Sequence, residues 1–102
     1  MLDIALMQSV ALQMMEREQV TVGDKKVRVG RTSYQRLRTV KFEMNGREYQ
    51  AIEQNADKPS RWGKLAREGH RVVQFRDAQT GKYVAVAVDG EVKEYGRSAT
   101  SR

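Results

Sequence analysis

Lys25, Lys26, Arg28, Arg31, Arg36, Arg38 and Lys41 fall in one stretch that holds no acidic residue. The whole chain carries a formal charge of only +6 at pH 7, so the remaining residues sum to about −1 and the positive charge is local. Cations crowded together repel one another, and an anionic partner relieves that repulsion. The chemistry on offer is phosphate binding, with Tyr34 as a ring on which a base can stack. Lys26 and Arg28 alternate with Val27 and Val29, which places both on the outward side of a strand. Arg31, Arg36 and Arg38 belong to the connection that follows, and Lys41 to the outward face of the next strand. Lys64 and Arg67 join them from the polar face of a short helix. These residues make a small non-catalytic nucleic-acid-binding domain, for RNA or DNA, the leading expectation.

The competing account is electrostatic. Exposed strands carry Lys and Arg to discourage edge pairing. Residues 1–24 and 42–57 each sum to about −3, so folding can bring carboxylates beside the basic stretch. The expectation is therefore conditional on Arg31, Arg36 and Arg38 standing clear of those acids.

Other chemistry is scarce. The absence of cysteine excludes disulfides, thiolate zinc sites and cysteine nucleophiles. The single histidine, His70, follows a helix stop, where a polar turn residue is expected. Glu53, Asn55 and Asp57 are spaced as at the start of a calcium loop, but the glycine and distal glutamate of such loops are missing. No glycine-rich phosphate loop occurs. No enzyme activity, cofactor or metal is expected. Arginine outnumbers lysine twelve to seven, a bias that suits anion recognition and that GC-rich codons also produce.

The elements that must position these groups read as follows. Residues 2–18 form a helix in which Leu2, Leu6, Val10 and Met14 recur every four positions and other apolar residues cover most of the circumference. Such a helix lies across a sheet or packs on two partners. The alternative function follows from it: a protein-interaction or homo-oligomerisation module, such as a homodimer, assembled through Leu6, Met7, Val10 and Met14. Val20, Val22, Val27 and Val29 flank a Gly23-Asp24 hairpin turn, and residues 30–39 read as a connection. In residues 39–54, Asn45-Gly46 suits a type I′ turn and sets Phe42 opposite Tyr49. A second helix over residues 60–68 has Ser60 as N-cap, Gly69 as terminator and Trp62 as core anchor. Strands follow over 72–76, 83–88 and 92–95, the middle one without a polar face and so covered on both sides.

The expected fold is α+β, built mainly of antiparallel hairpins in an open sheet or small barrel, in the order α-β-β-β-β-α-β-β-β. Residues 1–95 make one domain and 96–102 a flexible tail. No apolar run reaches the roughly 20 residues that cross a bilayer, and the N-terminus lacks the basic start of a signal peptide. A cytoplasmic protein with no membrane partner is the matching expectation.

Overall fold

The computed structural model describes residues 2–95; the expected tail, 96–102, lies outside the described residues. In chain order the elements are α1 (Ile4–Met14), β1 (Gln19–Val22), β2 (Lys25–Arg28), β3 (Gly30–Arg31), β4 (Arg38–Met44) and β5 (Arg47–Glu53). They continue with α2 (Arg61–Arg67), β6 (Val72–Asp77), β7 (Tyr83–Val88) and β8 (Glu91–Glu94). The α+β class and the antiparallel pairing are as expected. β3 through β8 form a six-stranded meander in sequence order, and β1 and β2 form a separate hairpin. The sheet is open and does not close into a barrel. The one additional strand, β3, is only two residues long and lies where a plain connection was expected.

Turn chemistry fixes the register. Asn45 and Gly46 both take positive φ, 53° and 77°, as a type I′ turn requires, and Phe42 pairs with Tyr49. Asp89 and Gly90 repeat the arrangement at 52° and 86° between β7 and β8. Alternation along these strands then sorts side chains to two faces.

The inner face carries Val40, Phe42, Ala51, Phe75, Ala85 and Ala87, all buried. Phe42 is its centre, with Phe75 edge-on at 6.1 Å and Tyr49 tilted at 6.2 Å between ring centroids. Helix α1 lies on this face and contributes Met7, Val10, Ala11 and Met14. Its start is set by Asp3, whose carboxylate accepts the Leu6 N–H at 3.1 Å. In its last turn, the Gln13 amide bonds both the N–H and the carbonyl of Thr21, tying the helix to β1.

Met7, Val10 and Met14 are 0 % exposed, and Leu6 is half-buried against the same core. The side chains expected to face a partner therefore pack on this chain's own sheet. Leu12, 42 % exposed, rests on the Gly90 turn, where an added Cβ would collide with it. No helix among the described residues is long and apolar enough to cross a membrane.

The outer face is polar except where α2 packs on β6, near the buried Val72 and Val86. Ser60 caps α2 by accepting the Gly63 N–H at 3.1 Å, and Gly69, at φ 97°, ends it. Gly63 is buried so tightly against the Lys58 carbonyl that a Cβ there would overlap it. Two stability outcomes follow. Gly63→Ala lowers stability by about 1–3 kcal/mol, the range for overpacking, read by thermal melts. Val10→Glu buries a charge in the core and abolishes folding; a folded Val10→Glu protein that only changes oligomeric state by light scattering would return α1 to an interface.

Candidate nucleic-acid interface

The β1–β2 register pairs Val20 with Val27, both turned inward, so Thr21, Lys26, Gln19 and Arg28 face outward. After Arg28 the chain shifts partners. The Val29 N–H still bonds the Glu18 carbonyl at 2.9 Å, and then Gly30 and Arg31 pair with Thr39 and Arg38 of β4. Side-chain alternation runs on through this handover. Lys26 and Arg28 thus take the outward positions of the hairpin, and Thr39 and Lys41 the outward positions of β4 in the meander.

Two of the expected contact residues are held inward instead. Arg38 Nη1 donates to the carbonyls of Met14 (3.0 Å), the last residue of α1, and Arg17 (3.2 Å), just past it, while Nη2 reaches Glu18 at 3.3 Å. A guanidinium there satisfies carbonyls the helix leaves free and complements the negative end of its dipole. Arg31, directly opposite Arg38, approaches the same Glu18 at 3.8 Å. Both therefore sit beside an acid of the N-terminal segment, the outcome that the charge count had warned of.

Arg36 is different. It occupies the turn closed by its own N–H to the Thr32 carbonyl, at φ 58°, and its side chain is exposed with no ion pair among the described residues. Tyr34 beside it is 89 % exposed. The neighbouring Gln35 hydrogen-bonds Asn55, so this tip is fastened to the segment that leads into α2. Lys64 is exposed on α2, and Arg67 folds back to donate to the carbonyls of Ala56 (2.6 Å) and Lys58 (2.9 Å). Lys26, Arg28, Arg36, Lys41 and Lys64 form no ion pair among the described residues.

Register also reveals a row that composition does not suggest. Lys41 pairs with Gln50, Gln50 with Arg76, and Arg76 with Tyr83, so the four stand abreast on the outer face. Adjacent strands lie about 4.8 Å apart, so the row spans roughly 14 Å. Gln50 donates to Thr39 Oγ1 at 2.9 Å and accepts from Arg76 Nη2. The buried Arg76 Nε has no hydrogen-bond partner among the described residues.

Tyr83 reaches this row through a register shift between Phe75 and Arg76. Strict alternation would put it on the inner face with Ala85 and Ala87. The bulge re-aims it outward, while Val84 packs against the main core. There Tyr83 borders an open cleft of about 670 Å³ with Trp62, Tyr95, Gln54 and Gln74. Tyr95 donates its hydroxyl to Gln74 at 2.7 Å, and Gln74 donates to Gln54 at 3.0 Å. Burial pushes the Tyr95 phenol above its ordinary range despite those polar neighbours. Trp62, expected as a core anchor, is half-buried on the wall of this cleft, with the Arg61 guanidinium 5.0 Å from its ring centre. Sequence reading missed Gln54, Gln74, Tyr83 and Tyr95. Three of the seven aromatic residues meeting in one place was the available signal, but no local spacing reports that meeting.

Two carboxylates, Asp77 and Asp89, act as fasteners. Asp77 is buried and accepts from Arg47 at 2.6 and 3.1 Å and from the Gln79 and Thr80 N–H groups. Burial alone would raise its pKa, but these donors outweigh it and hold the carboxyl below the ordinary carboxylate range. Asp89 accepts the Arg71 N–H at 2.9 Å and meets His70 Nδ1 at 2.7 Å, and its pKa is likewise lowered. No three His, Asp or Glu side chains converge as metal ligands among the described residues.

Carboxyl groups with lowered folded-state pKa stabilise the fold above their unfolded pKa, near 4, and cease to as pH falls through the folded value. The melting temperature is expected to stay level from neutral pH to about 5 and to fall below about 4. Asp77→Asn lowers it at pH 7 and removes part of that acid-side fall. An acid limb unchanged in Asp77→Asn and Asp89→Asn contradicts the assignment. No known protein family matches the chain, and no curated protein or solved structure matches it either.

Proposed function

We propose that this protein is a non-catalytic nucleic-acid-binding domain that receives a phosphate backbone on the outer face of its sheet. One observation carries the reading. Lys26, Arg28, Arg36, Lys41 and Lys64 are exposed and lack ion pairs among the described residues, and the Tyr34 ring, between Arg28 and Arg36 in the chain, is 89 % exposed. Cations left uncompensated on the surface of a small fold are suited to phosphates, and an exposed ring close to them in the chain to a base.

Arg31 and Arg38 belong to the fold in this reading rather than to the contact set. Arg67 contributes positive potential while its donors hold the loop before α2. With roughly five phosphates neutralised, binding to a single strand should follow a log–log salt slope of about −3.5.

The test is fluorescence anisotropy with labelled RNA and DNA oligonucleotides between about 50 and 200 mM salt. Wild type is expected to lose affinity steeply over that range. Lys26→Glu/Arg28→Glu/Lys41→Glu should melt close to wild type, bind at least about tenfold more weakly, and show a slope flatter by roughly 2. Arg38→Ala should instead lower the melting temperature. Binding that ignores salt, or a triple variant that binds as well as wild type, overturns the proposal.

A further inference from the structure

We infer that the cleft between α2 and the β6–β7 turn takes one unstacked base of a single-stranded nucleic acid. The inference rests on the nucleic-acid reading and names the form of nucleic acid that the surface would select.

Trp62, Tyr83 and Tyr95 supply three rings, and Pro59 adds a further apolar surface. Rings and proline alone would suit any flat apolar group. The floor narrows the choice, because it is built of amides. Gln54 gives one N–H to the Asn55 carbonyl and accepts from Gln74; Gln74 gives one N–H to Gln54 and accepts from Tyr95. A primary amide carries two N–H groups, so each glutamine keeps one donor uncommitted. Each carbonyl oxygen accepts one hydrogen bond and keeps a second lone pair. The floor therefore offers donors and acceptors side by side, held in place by a hydrogen-bonded chain, to a planar ligand with polar edges. The ring nitrogens and carbonyls of a nucleobase fit that description.

Charge narrows it again. Lys58 and Lys82 stand at the cleft, both exposed, and among the described residues neither forms an ion pair and no carboxylate lines the cleft. A cationic ligand is disfavoured, and a base attached to phosphate is favoured. The cleft is also connected to the basic surface. The Lys41–Gln50–Arg76–Tyr83 row crosses four adjacent strands from the free lysine to the cleft wall. A strand laid along that row keeps its phosphates near Lys41 and Arg76 and delivers a base beside Tyr83. In a duplex the bases are stacked and paired, so the faces that such a cleft needs are hidden.

Trp62 is the only tryptophan in the chain, so its emission reports from the cleft itself. The experiment titrates the full-length protein at low salt with a single-stranded oligonucleotide, its duplex, the same strand with abasic sites, a free nucleoside monophosphate and a proline-rich peptide. Trp62 fluorescence and anisotropy of the labelled strands are both recorded. The single strand should quench Trp62, while the duplex and abasic strand bind without quenching. The monophosphate should quench only at far higher concentration. Tyr83→Ala should weaken single-strand binding about tenfold and leave duplex affinity unchanged. Gln74→Leu tests the floor independently and should weaken the single strand alone.

If the oligonucleotides bind but Trp62 is never quenched and Tyr83→Ala is neutral, the cleft assignment fails while the surface reading stands. Quenching by the monophosphate at the same concentration as the strand overturns the strand-borne base. Quenching by a proline-rich peptide with none by the oligonucleotide overturns the ligand class. If no oligonucleotide binds at all, the surface reading has failed and this inference with it.

Discussion

An apolar helix in a chain of 102 residues sets the terms for everything else. Met7, Val10, Ala11 and Met14 line one side of α1, but Leu6, Leu12 and Met15 leave apolar surface on others. Fully burying a side chain of this size contributes about 1.5–3 kcal/mol, so covering several sides of one helix is a large share of a small domain's stability. A flat sheet covers one side only. Here the meander covers one side, the β1–β2 hairpin another, and the β7–β8 turn reaches Leu12. To do this the hairpin must leave β4, and the chain therefore changes partners at Val29.

That handover also divides the basic residues into two groups. Covering α1 brings the carbonyls of Met14 and Arg17 and the Glu18 carboxylate against the β3–β4 pair. Arg38 and Arg31 occupy the inner side of that pair by register and are drawn into the helix end. Lys26, Arg28 and Lys41 occupy the alternate positions and remain outside. A period of two thus decides which cations serve the fold and which face water. The exposed ones are retained at modest cost, because charges in water are screened over about 8 Å at physiological salt.

Local signals made most of the elements legible in the sequence. Asn45-Gly46 and Asp89-Gly90 demanded type I′ turns, and the alternation beside them set the register of Phe42 against Tyr49. Ser60 and Gly69 bounded α2 to the residue at its start. What escaped was long-range or too short to show a period. β3 is a two-residue strand that exists because Thr39 and Arg38 are there to pair with it. The attachment of Arg38 depends on helix carbonyls more than twenty positions away, and nothing in the spacing of 25–41 reports it. Trp62 showed a clean helical face, which predicts burial but not whether the burial is complete.

The bulge beside Arg76 is the deepest of these omissions, and it has a structural logic. Inner-face positions of β7 are restricted to small residues, Ala85 and Ala87, because α1 packs directly on them. A tyrosine kept in strict alternation at position 83 would compete for that space. Shifting register by one residue releases it to the outer face, where α2 covers only part of the sheet and leaves room for a large ring. The outer face also tolerates features a core would not, including a half-buried arginine whose Nε–H lacks a partner among the described residues. Close packing on the helix side and loose, polar packing on the other are two consequences of one asymmetry: α1 is apolar nearly all round, whereas α2 is apolar on a single narrow face. The side that the core does not need is the side where ligand chemistry can accumulate without loss of the fold.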